Sequence, residues 1–226
     1  GTTSKFLAKL LGVAEPDDNG FLIIGSNPVS RMLAHALNDN DFNILVTDDS
    51  WANIKAARME GLKSYYGNAI SEHAGRHLDL VGLGHLVAMS PQKENNALVG
   101  QHYRSEFGSN QIYFLSSESD SEKKEEDQNS RTSINYGHQV LFSHDTTFSK
   151  LASLISQGAQ TRHTTISDSF TYEDYKEQYG RRAIPLFSFN EKRQLQFFTS
   201  EIDFIPSSGS TITALVQEEI DELKPV

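Results

Sequence analysis

The sequence contains no cysteine, has no long hydrophobic run and carries an excess of acidic side chains. The absence of cysteine excludes a disulfide scaffold and any metal site with thiolate ligands. No apolar run approaches the roughly 20 residues that a membrane-spanning helix requires. The net charge of −10 argues against nucleic acid as a partner, because binding to a phosphate backbone needs a basic face. Hydrophobic residues make up 37% of the 226 positions, which is enough to build packed cores in one large or two small domains.

Residues 21–115 alternate regularly between short apolar runs and amphipathic stretches. This pattern predicts strands near 21–25, 43–48, 63–67, 84–90 and 110–115, with helices near 29–38, 51–60, 72–80 and 94–106 between them. Crossovers of this length join parallel strands, and the helices are expected to cover both faces of the sheet. The fold class predicted for this part is therefore α/β, with a Rossmann-like, doubly wound parallel sheet.

The first predicted strand leads into a turn that runs from Gly25 and Ser26 through Asn27 to Ser30. A glycine turn between a strand and a helix directs backbone N–H groups and the positive end of the helix dipole at a phosphate. Here Asn27 and Ser30 replace the second and third glycines of the usual dinucleotide turn. Pro28 suits the first helical turn but removes one N–H donor, and the Asn27 side chain can cap the helix itself. Two interpretations stay open: a working nucleotide site, or a turn kept for structure.

Acidic and polar side chains are expected at the carboxyl ends of the predicted strands, where ligands gather in open α/β sheets. Asp48 ends the second strand, about 20 residues after the turn, where a carboxylate can accept ribose hydroxyls. Asp49 beside it adds repulsion against a 2′-phosphate, so NAD or AMP is favoured over NADP as the ligand. Asn68 and Ser90 follow the third and fourth strands, and each is either a ligand contact or a turn residue that satisfies its own backbone.

At Ser116 the composition changes to a serine-rich, acidic run that contains nothing to bury, so residues 116–135 are predicted to be a flexible linker. Residues 1–19 are predicted to form an amphipathic connector, and residues 20–115 the Rossmann-like domain. After the linker, strands are expected near 138–143, 160–167, 183–189, 195–198 and 211–216, and helices near 147–158 and 172–179. Residues 136–226 are therefore predicted to be a small α+β domain.

Three patterns that look like catalytic or metal sites are discounted. They are Tyr172 with Lys176, His73 with His77, and His138 with His144 and Asp145. The first has the spacing of short-chain dehydrogenases but lies beyond the acidic linker, away from any nicotinamide. The second is one helical turn apart but has no third metal ligand nearby in sequence. The third lacks a Gly-x-Ser-x-Gly nucleophile. We therefore expect neither enzyme activity nor a metal site.

Several motifs, taken in order, resemble the cytoplasmic C-terminal region of NhaP-type cation:proton antiporters, whose nucleotide-binding domain is of the RCK or Trk N type. The motifs are KLLGVAEP at 9–16, IKAARMEGL at 54–62, YYGNA at 65–69 and GLGHLVAMSP at 82–91, continuing to Asn95. The resemblance covers residues 9–115 well. The second domain is similar more loosely, through 183–187 and 206–215.

The resemblance implies a cytosolic regulatory module without enzyme activity, attached to a transmembrane antiporter domain of the same chain at the cytoplasmic face of the cell membrane. It also implies a homodimer and an adenine nucleotide, NAD or AMP, as the ligand. The expected ligand contacts are Gly25, Ser26, Asn27, Ser30, Asp48, Asp49, Gly67, Asn68, Ser90 and Asn95. The alternative is a free-standing NAD-dependent oxidoreductase, although the second domain offers no convincing set of acid, base or metal ligands.

Overall fold

The computed structural model of the chain describes residues 18–116 and 139–217. Residues 1–17 of the predicted connector with its 9–16 motif, nearly all of the acidic linker and His138 lie outside these ranges. Within them, no helix is both long enough and apolar enough to cross a membrane.

The larger sheet has six parallel strands in the order β3-β2-β1-β4-β5-β6, and the strand order reverses direction between β1 and β4. This arrangement confirms the predicted Rossmann-like, doubly wound sheet. Its strands are β1 (Gly20–Ile24), β2 (Ile44–Asp48), β3 (Ser64–Tyr66), β4 (Leu83–Ala88), β5 (Ile112–Leu115) and β6 (Gln139–Leu141). The helices between them are α1 (Pro28–Asn38), α2 (Trp51–Met59), α3 (Glu72–His77), α4 (Lys93–His102) and α5 (Arg104–Phe107). The single helix expected near 94–106 is thus two helices that break at Tyr103.

A smaller antiparallel sheet follows in the C-terminal part, with four strands in the order β7-β10-β8-β9. This sheet and its helices confirm the predicted α+β character of the region. The elements are α6 (Phe148–Ser156), β7 (Gln160–Thr165), α7 (Tyr172–Tyr179), β8 (Ala183–Phe189), β9 (Leu195–Phe197) and β10 (Thr211–Val216).

The strand β6 does not lie in the sheet that the sequence predicted for it. It was expected in the small C-terminal domain, but it pairs in parallel with β5 and is the sixth strand of the larger sheet. Its other edge is paired with the chain that follows β9: Phe142 N donates to Phe198 O at 2.6 Å, and Ser200 N donates to Val140 O at 3.0 Å. The C-terminal chain therefore continues the hydrogen bonding of the larger sheet and covers an edge of β6 that would otherwise be unpaired.

The two faces of the larger sheet are covered by different layers, as the alternation of apolar side chains along β1 demonstrates. Phe21 and Ile23 face a core that includes α1, α6 and one face of the small sheet. Leu22 and Ile24 face a second core formed with α4 and α5. The opposite face of the small sheet packs against α7, through Tyr175. A strand with both faces buried consists of consecutive apolar residues, which explains the unbroken apolar run of β1.

Aromatic side chains join the small sheet to the larger one. Phe197 of β9 lies 5.5 Å from the ring of Phe21 and 4.8 Å from that of Tyr113, measured between ring centroids. At the periphery, the Arg193 guanidinium donates to Asn40 O and to the Asp41 carboxylate, both at 2.6 Å. The apolar face of β1, β4 and β5 is thus covered within the chain itself.

Candidate ligand-binding cleft

A cleft of about 360 Å³ lies at the carboxyl ends of the first four strands of the larger sheet. It opens where the strand order reverses, between β1 and β4, which is where open α/β sheets bind ligands. Eight of the ten expected contact residues line it: Gly25, Asn27, Asp48, Asp49, Gly67, Asn68, Ser90 and Asn95. The other lining residues are Ile24, Thr47, Ser50, Asn53, Ala69, Ile70, Pro91, Gln92, Leu98 and Val99.

The turn between β1 and α1 requires its one remaining glycine. Gly25 has a φ of +91°, and a Cβ atom there would lie 3.3 Å from Ser90 N. Asn27 then caps α1, since its Oδ1 accepts from Ser30 N at 3.0 Å. The Asn27 Nδ2 donates to Met89 O at 2.7 Å, so one amide holds the start of α1 against the end of β4. An asparagine therefore fulfils a structural role at the second glycine position.

Ser26 and Ser30 are fully buried beneath the turn and do not line the cleft. Ser26 N donates to Asp48 Oδ2 at 2.6 Å, and its hydroxyl donates to Asn53 O at 3.1 Å. The Ser30 hydroxyl donates to Asn27 O at 2.9 Å. In this conformation both serines stabilise the turn, and their contact with a ligand stays a prediction.

The two acidic residues at the end of β2 have different environments. Besides Ser26 N, the Asp48 carboxylate accepts from Asn53 Nδ2 at 3.0 Å and from Ser50 N at 2.7 Å. A carboxylate offers about four acceptor sites, so about one remains, and accepting two ribose hydroxyls requires Asn53 to turn away. Asp49 is exposed and lines the cleft, and its carboxylate has no hydrogen-bond or ion-pair partner in the described ranges.

The polar residues after β3 and β4 differ in how much of their hydrogen-bonding capacity is left. Asn68 Oδ1 accepts from Ile70 N at 3.0 Å, which leaves its Nδ2 group to a ligand. Ser90 is occupied by its own loop: its N–H and carbonyl bond to the Asn96 side chain, and its hydroxyl donates to Gln92 Oε1 at 2.6 Å. This favours the turn-residue interpretation for Ser90. Asn95 is exposed at the cleft, and its side chain has no hydrogen-bond partner in the part of the chain that the structure describes.

The loop that carries Gly67 and Asn68 is anchored from below. The Tyr103 hydroxyl donates to Ala69 O at 2.6 Å, and burial, with smaller contributions from nearby Tyr65 and Glu106, raises the pKa of Tyr103 above its ordinary value. The phenol therefore stays protonated as a donor at neutral pH.

Sequence reasoning missed several lining residues on the helices that face the cleft. Asn53 stands in the first turn of α2, whose N-cap is Ser50, and Gln92 and Leu98 come from the start and middle of the segment around α4. The sequence does contain a signal for Asn53. Ser50 and Asn53 have the spacing of a helix N-cap directly after the acidic end of β2, which places the first turn of the helix, and with it Asn53, at the edge of the sheet where the cleft lies. Leu98 has no such signal, since an exposed leucine on a helix is common.

The discounted patterns do not meet at the cleft. The rings of His73 and His77 stack with centroids 4.1 Å apart, and His73 Nδ1 is 2.8 Å from the Tyr65 hydroxyl. Across the described ranges, no group of three or more His, Cys, Asp or Glu residues is arranged to hold a metal ion. Tyr172 and Lys176 contact each other on α7, with the ammonium 5.0 Å from the ring centroid.

Asp145 is likewise explained by local contacts. Hydrogen bonds from the Ser143 hydroxyl and the Lys150 ammonium lower its pKa below the ordinary value. These contacts belong to the turn before α6. They explain the lowered pKa of Asp145 without any interaction between Asp145 and His144.

The sheet, its switch point and the acid at the end of β2 define a dinucleotide-binding type of α/β fold. The family comparison makes this specific, because the model of the TrkA-N domain matches residues 21–134. The chain belongs to the TrkA-N domain family. No curated protein matches it.

Solved structures with a similar arrangement include an NAD(P)-binding domain, the TrkA-N domain of an inner membrane protein and a channel. The NAD(P)-binding domain of an exopolyphosphatase-related protein from Archaeoglobus fulgidus is 19% identical, with a TM-score of 0.43 over 61% of this chain and 94% of that one. The TrkA-N domain of the inner membrane protein ybaL from Escherichia coli is 21% identical, with a TM-score of 0.39 over 43% of this chain and 72% of that one. The GsuK channel bound to NAD is 14% identical, with a TM-score of 0.42 over 96% of this chain and 41% of that one. The present chain therefore spans less than half of the length of that channel.

Proposed function

We propose that this chain is the cytosolic, non-enzymatic regulatory module of a membrane monovalent cation:proton antiporter, and that it senses an adenine nucleotide. The observation that carries the proposal is the cleft at the switch point of a TrkA-N domain, with Asp48 and Asp49 on its wall. All described lining residues lie between Ile24 and Val99. The C-terminal half thus adds none of them, which favours ligand sensing over the alternative of an NAD-dependent oxidoreductase.

The proposed ligand is NAD or AMP, bound by the ten residues expected from the sequence. Asp49 supports this choice, because its unpaired carboxylate repels the 2′-phosphate of NADP. Isothermal titration calorimetry with NAD, NADP, AMP and ATP tests the proposal. We expect NAD to bind more tightly than NADP. Tighter binding of NADP would reject the assignment of the ribose site, and the absence of binding by all four would favour a turn kept for structure.

The antiporter assignment is supported by the motifs at 54–62, 65–69 and 82–95, which resemble the NhaP type. In this proposal ligand binding shifts the module between conformations, and residues 4–14 pass the shift to the membrane domain at the cytoplasmic face. The coding sequence upstream of Lys5 tests it. About a dozen hydrophobic helices are expected there, each of roughly 20 residues, and an upstream region without them would contradict the assignment.

A homodimer is proposed from the same resemblance, with two-fold symmetry as in most homo-oligomers. The apolar segments 85–89 and 112–115 belong to β4 and β5 and the turn after β4, and their apolar side chains pack within the chain under α1, β9 and the helices α4 and α5. They therefore do not provide a surface for a dimer. Sedimentation equilibrium at several concentrations tests the proposal, and a strictly 25.2 kDa species at high concentration would contradict it.

A further inference from the structure

The wall of the cleft carries negative charge without a compensating cation. Asp48 and Asp49 are its charged groups, and the described residues that line it include no lysine or arginine. Arg31 lies on the first turns of α1, but it is engaged elsewhere: its Nε contacts both Glu60 carboxylate oxygens at 3.0 Å, and its Nη1 donates to Ser26 O at 2.7 Å. Each phosphate added to a ligand therefore adds a like charge near two carboxylates.

The turn before α1 also offers few backbone donors to a phosphate. Pro28 has no N–H group, Ser30 N is bound by the Asn27 side chain, and Ser26 N is bound by Asp48. Within the described residues, only the N–H groups of Asn27 and Val29 are left without an acceptor in this part of the turn. Two neutral donors match a single phosphate better than a chain of phosphates, whose charge normally requires lysine, arginine or a larger nest of N–H groups.

The rest of the cleft is suited to the uncharged parts of a nucleoside. Asp49 is free to accept hydroxyl groups, and the amides of Asn68 and Asn95 have donors to spare. Ile70 and Leu98 add apolar surface that can contact a base. These groups recognise a sugar and a base through hydrogen bonds and burial, which orient the ligand without any contribution from its phosphate.

We propose that this cleft selects a nucleoside with no more than one phosphate and discriminates against ligands with two or more, with Asp49 and Pro28 as the residues that set the selectivity. The inference rests on the proposed function, because it concerns the same cleft. Of the two ligands named there it selects AMP, whose single phosphate group can be met by the two free N–H donors of the turn, over NAD, whose two phosphate groups would have to share them.

Calorimetric titration of the full chain with adenosine, AMP, NAD, ADP and ATP, without divalent cations, tests the selectivity. AMP is expected to bind more tightly than NAD, whose two phosphate groups share the two free N–H donors of the turn. It is also expected to bind more tightly than ADP and ATP, with a loss of about fivefold in affinity for each added phosphate charge, as expected for unit charges close together in water. The differences should shrink at about 1 M salt, because charges are then screened within about 3 Å. Equal or tighter binding of ATP than AMP overturns the inference while leaving nucleotide sensing intact. No binding by any ligand overturns both.

Two variants assign the selectivity to its residues. Asp49→Asn should reduce the ratio of AMP affinity to ATP affinity by about fivefold, because it removes one of the two carboxylate charges that repel the added phosphates. Asp39→Asn changes an exposed carboxylate at the end of α1, away from the lining residues, and is the matched control that should leave the difference unchanged. Pro28→Ala restores an N–H donor, and it should tighten the binding of AMP relative to adenosine. An unchanged ratio of AMP to ATP affinity in Asp49→Asn, or the same change in Asp39→Asn, would show that Asp49 does not set the selectivity.

Discussion

Two adjacent carboxylates at the end of β2 have separate tasks. Asp48 points back into the protein, where its three hydrogen bonds fix the turn after β1 and the first turn of α2. Asp49 points into the cleft without a partner in the described ranges. A strand alternates the direction of successive side chains, so neighbouring residues at its end reach different environments. In the proposed function, Asp48 thus contributes to stability and Asp49 to ligand selectivity.

This division predicts that the two residues respond differently to the same chemical change. Asp48→Asn places an amide where three donors point, so at least one N–H faces another donor, and the free energy of unfolding should fall by about 1–3 kcal/mol. Asp49→Asn breaks no hydrogen bond and should change it by no more than about 0.5 kcal/mol. Urea unfolding followed by circular dichroism measures both. Equal losses in the two variants would contradict the bracing role of Asp48.

The position of Asp48 could be predicted from the sequence, but its contacts could not. The end of an apolar run followed by a helix start locates the acid at the carboxyl edge of the sheet. Its bond to Ser26 N, however, joins residues 22 positions apart and depends on how β1 and β2 are paired. The burial of Ser26 and Ser30 has the same origin. Local pattern thus predicts which residues meet at the cleft, and tertiary pairing decides which of them face it.

At the scale of elements, the positions of most strands and helices were predictable, but the sheet that a short strand joins was not. The strong stripe of Leu33 and Leu37 on α1 and the unbroken apolar run of β1 specify both elements locally. The three-residue β6 has no such signal, and its sheet is chosen by its tertiary partners β5 and the 198–200 segment. A short strand between a linker and a helix can join either sheet, so its sequence alone does not decide between them.

The junction between β4 and the small sheet predicts a pH-dependent stability. His85 stacks on Phe21 with ring centroids 4.7 Å apart, and burial lowers its pKa, opposed by a smaller contribution from its bond to Gly20 O. The folded state therefore binds this proton less readily than the unfolded state, in which histidine titrates near pH 6.5. The stabilisation is present in full above about pH 6.5 and decreases as the pH falls through that value towards the pKa of the folded state.

His85→Phe keeps an aromatic ring against Phe21 but cannot titrate. Between about pH 7.5 and pH 5 its free energy of unfolding should fall less than that of the unchanged protein. His102→Gln, which alters an exposed histidine at the end of α4, is the matched control. Its free energy of unfolding should depend on pH as steeply as that of the unchanged protein. Denaturant unfolding at a series of pH values provides the measurement. The same slope for the unchanged protein and His85→Phe would show that this histidine does not contribute.

At the scale of the whole molecule, the two sheets share one hydrophobic core. Phe187, Phe197 and Leu215 of the small sheet belong to the same buried cluster as Phe21 and Leu33 of the Rossmann-like part. The division at 115 and 136 into separate domains stays a prediction. The sequence suggested it because an acidic run interrupts the chain there, but composition along the chain does not reveal packing between segments that lie far apart in sequence.

The shared core predicts that the described parts unfold as one cooperative unit, and the chain contains its own reporter. Its one tryptophan, Trp51, lies on α2, far in sequence from β9. Phe197→Ala leaves a cavity against Phe21 and Tyr113 and should lower the free energy of unfolding by about 3–5 kcal/mol. The transition seen by Trp51 fluorescence should move to lower denaturant together with that seen by circular dichroism, since coincident probes indicate two-state unfolding.

Ile205→Ala, at a side chain that is 62% exposed, is the control and should move neither transition appreciably. A Trp51 transition that stays in place in Phe197→Ala while the circular dichroism signal divides into two steps would establish two independent domains instead.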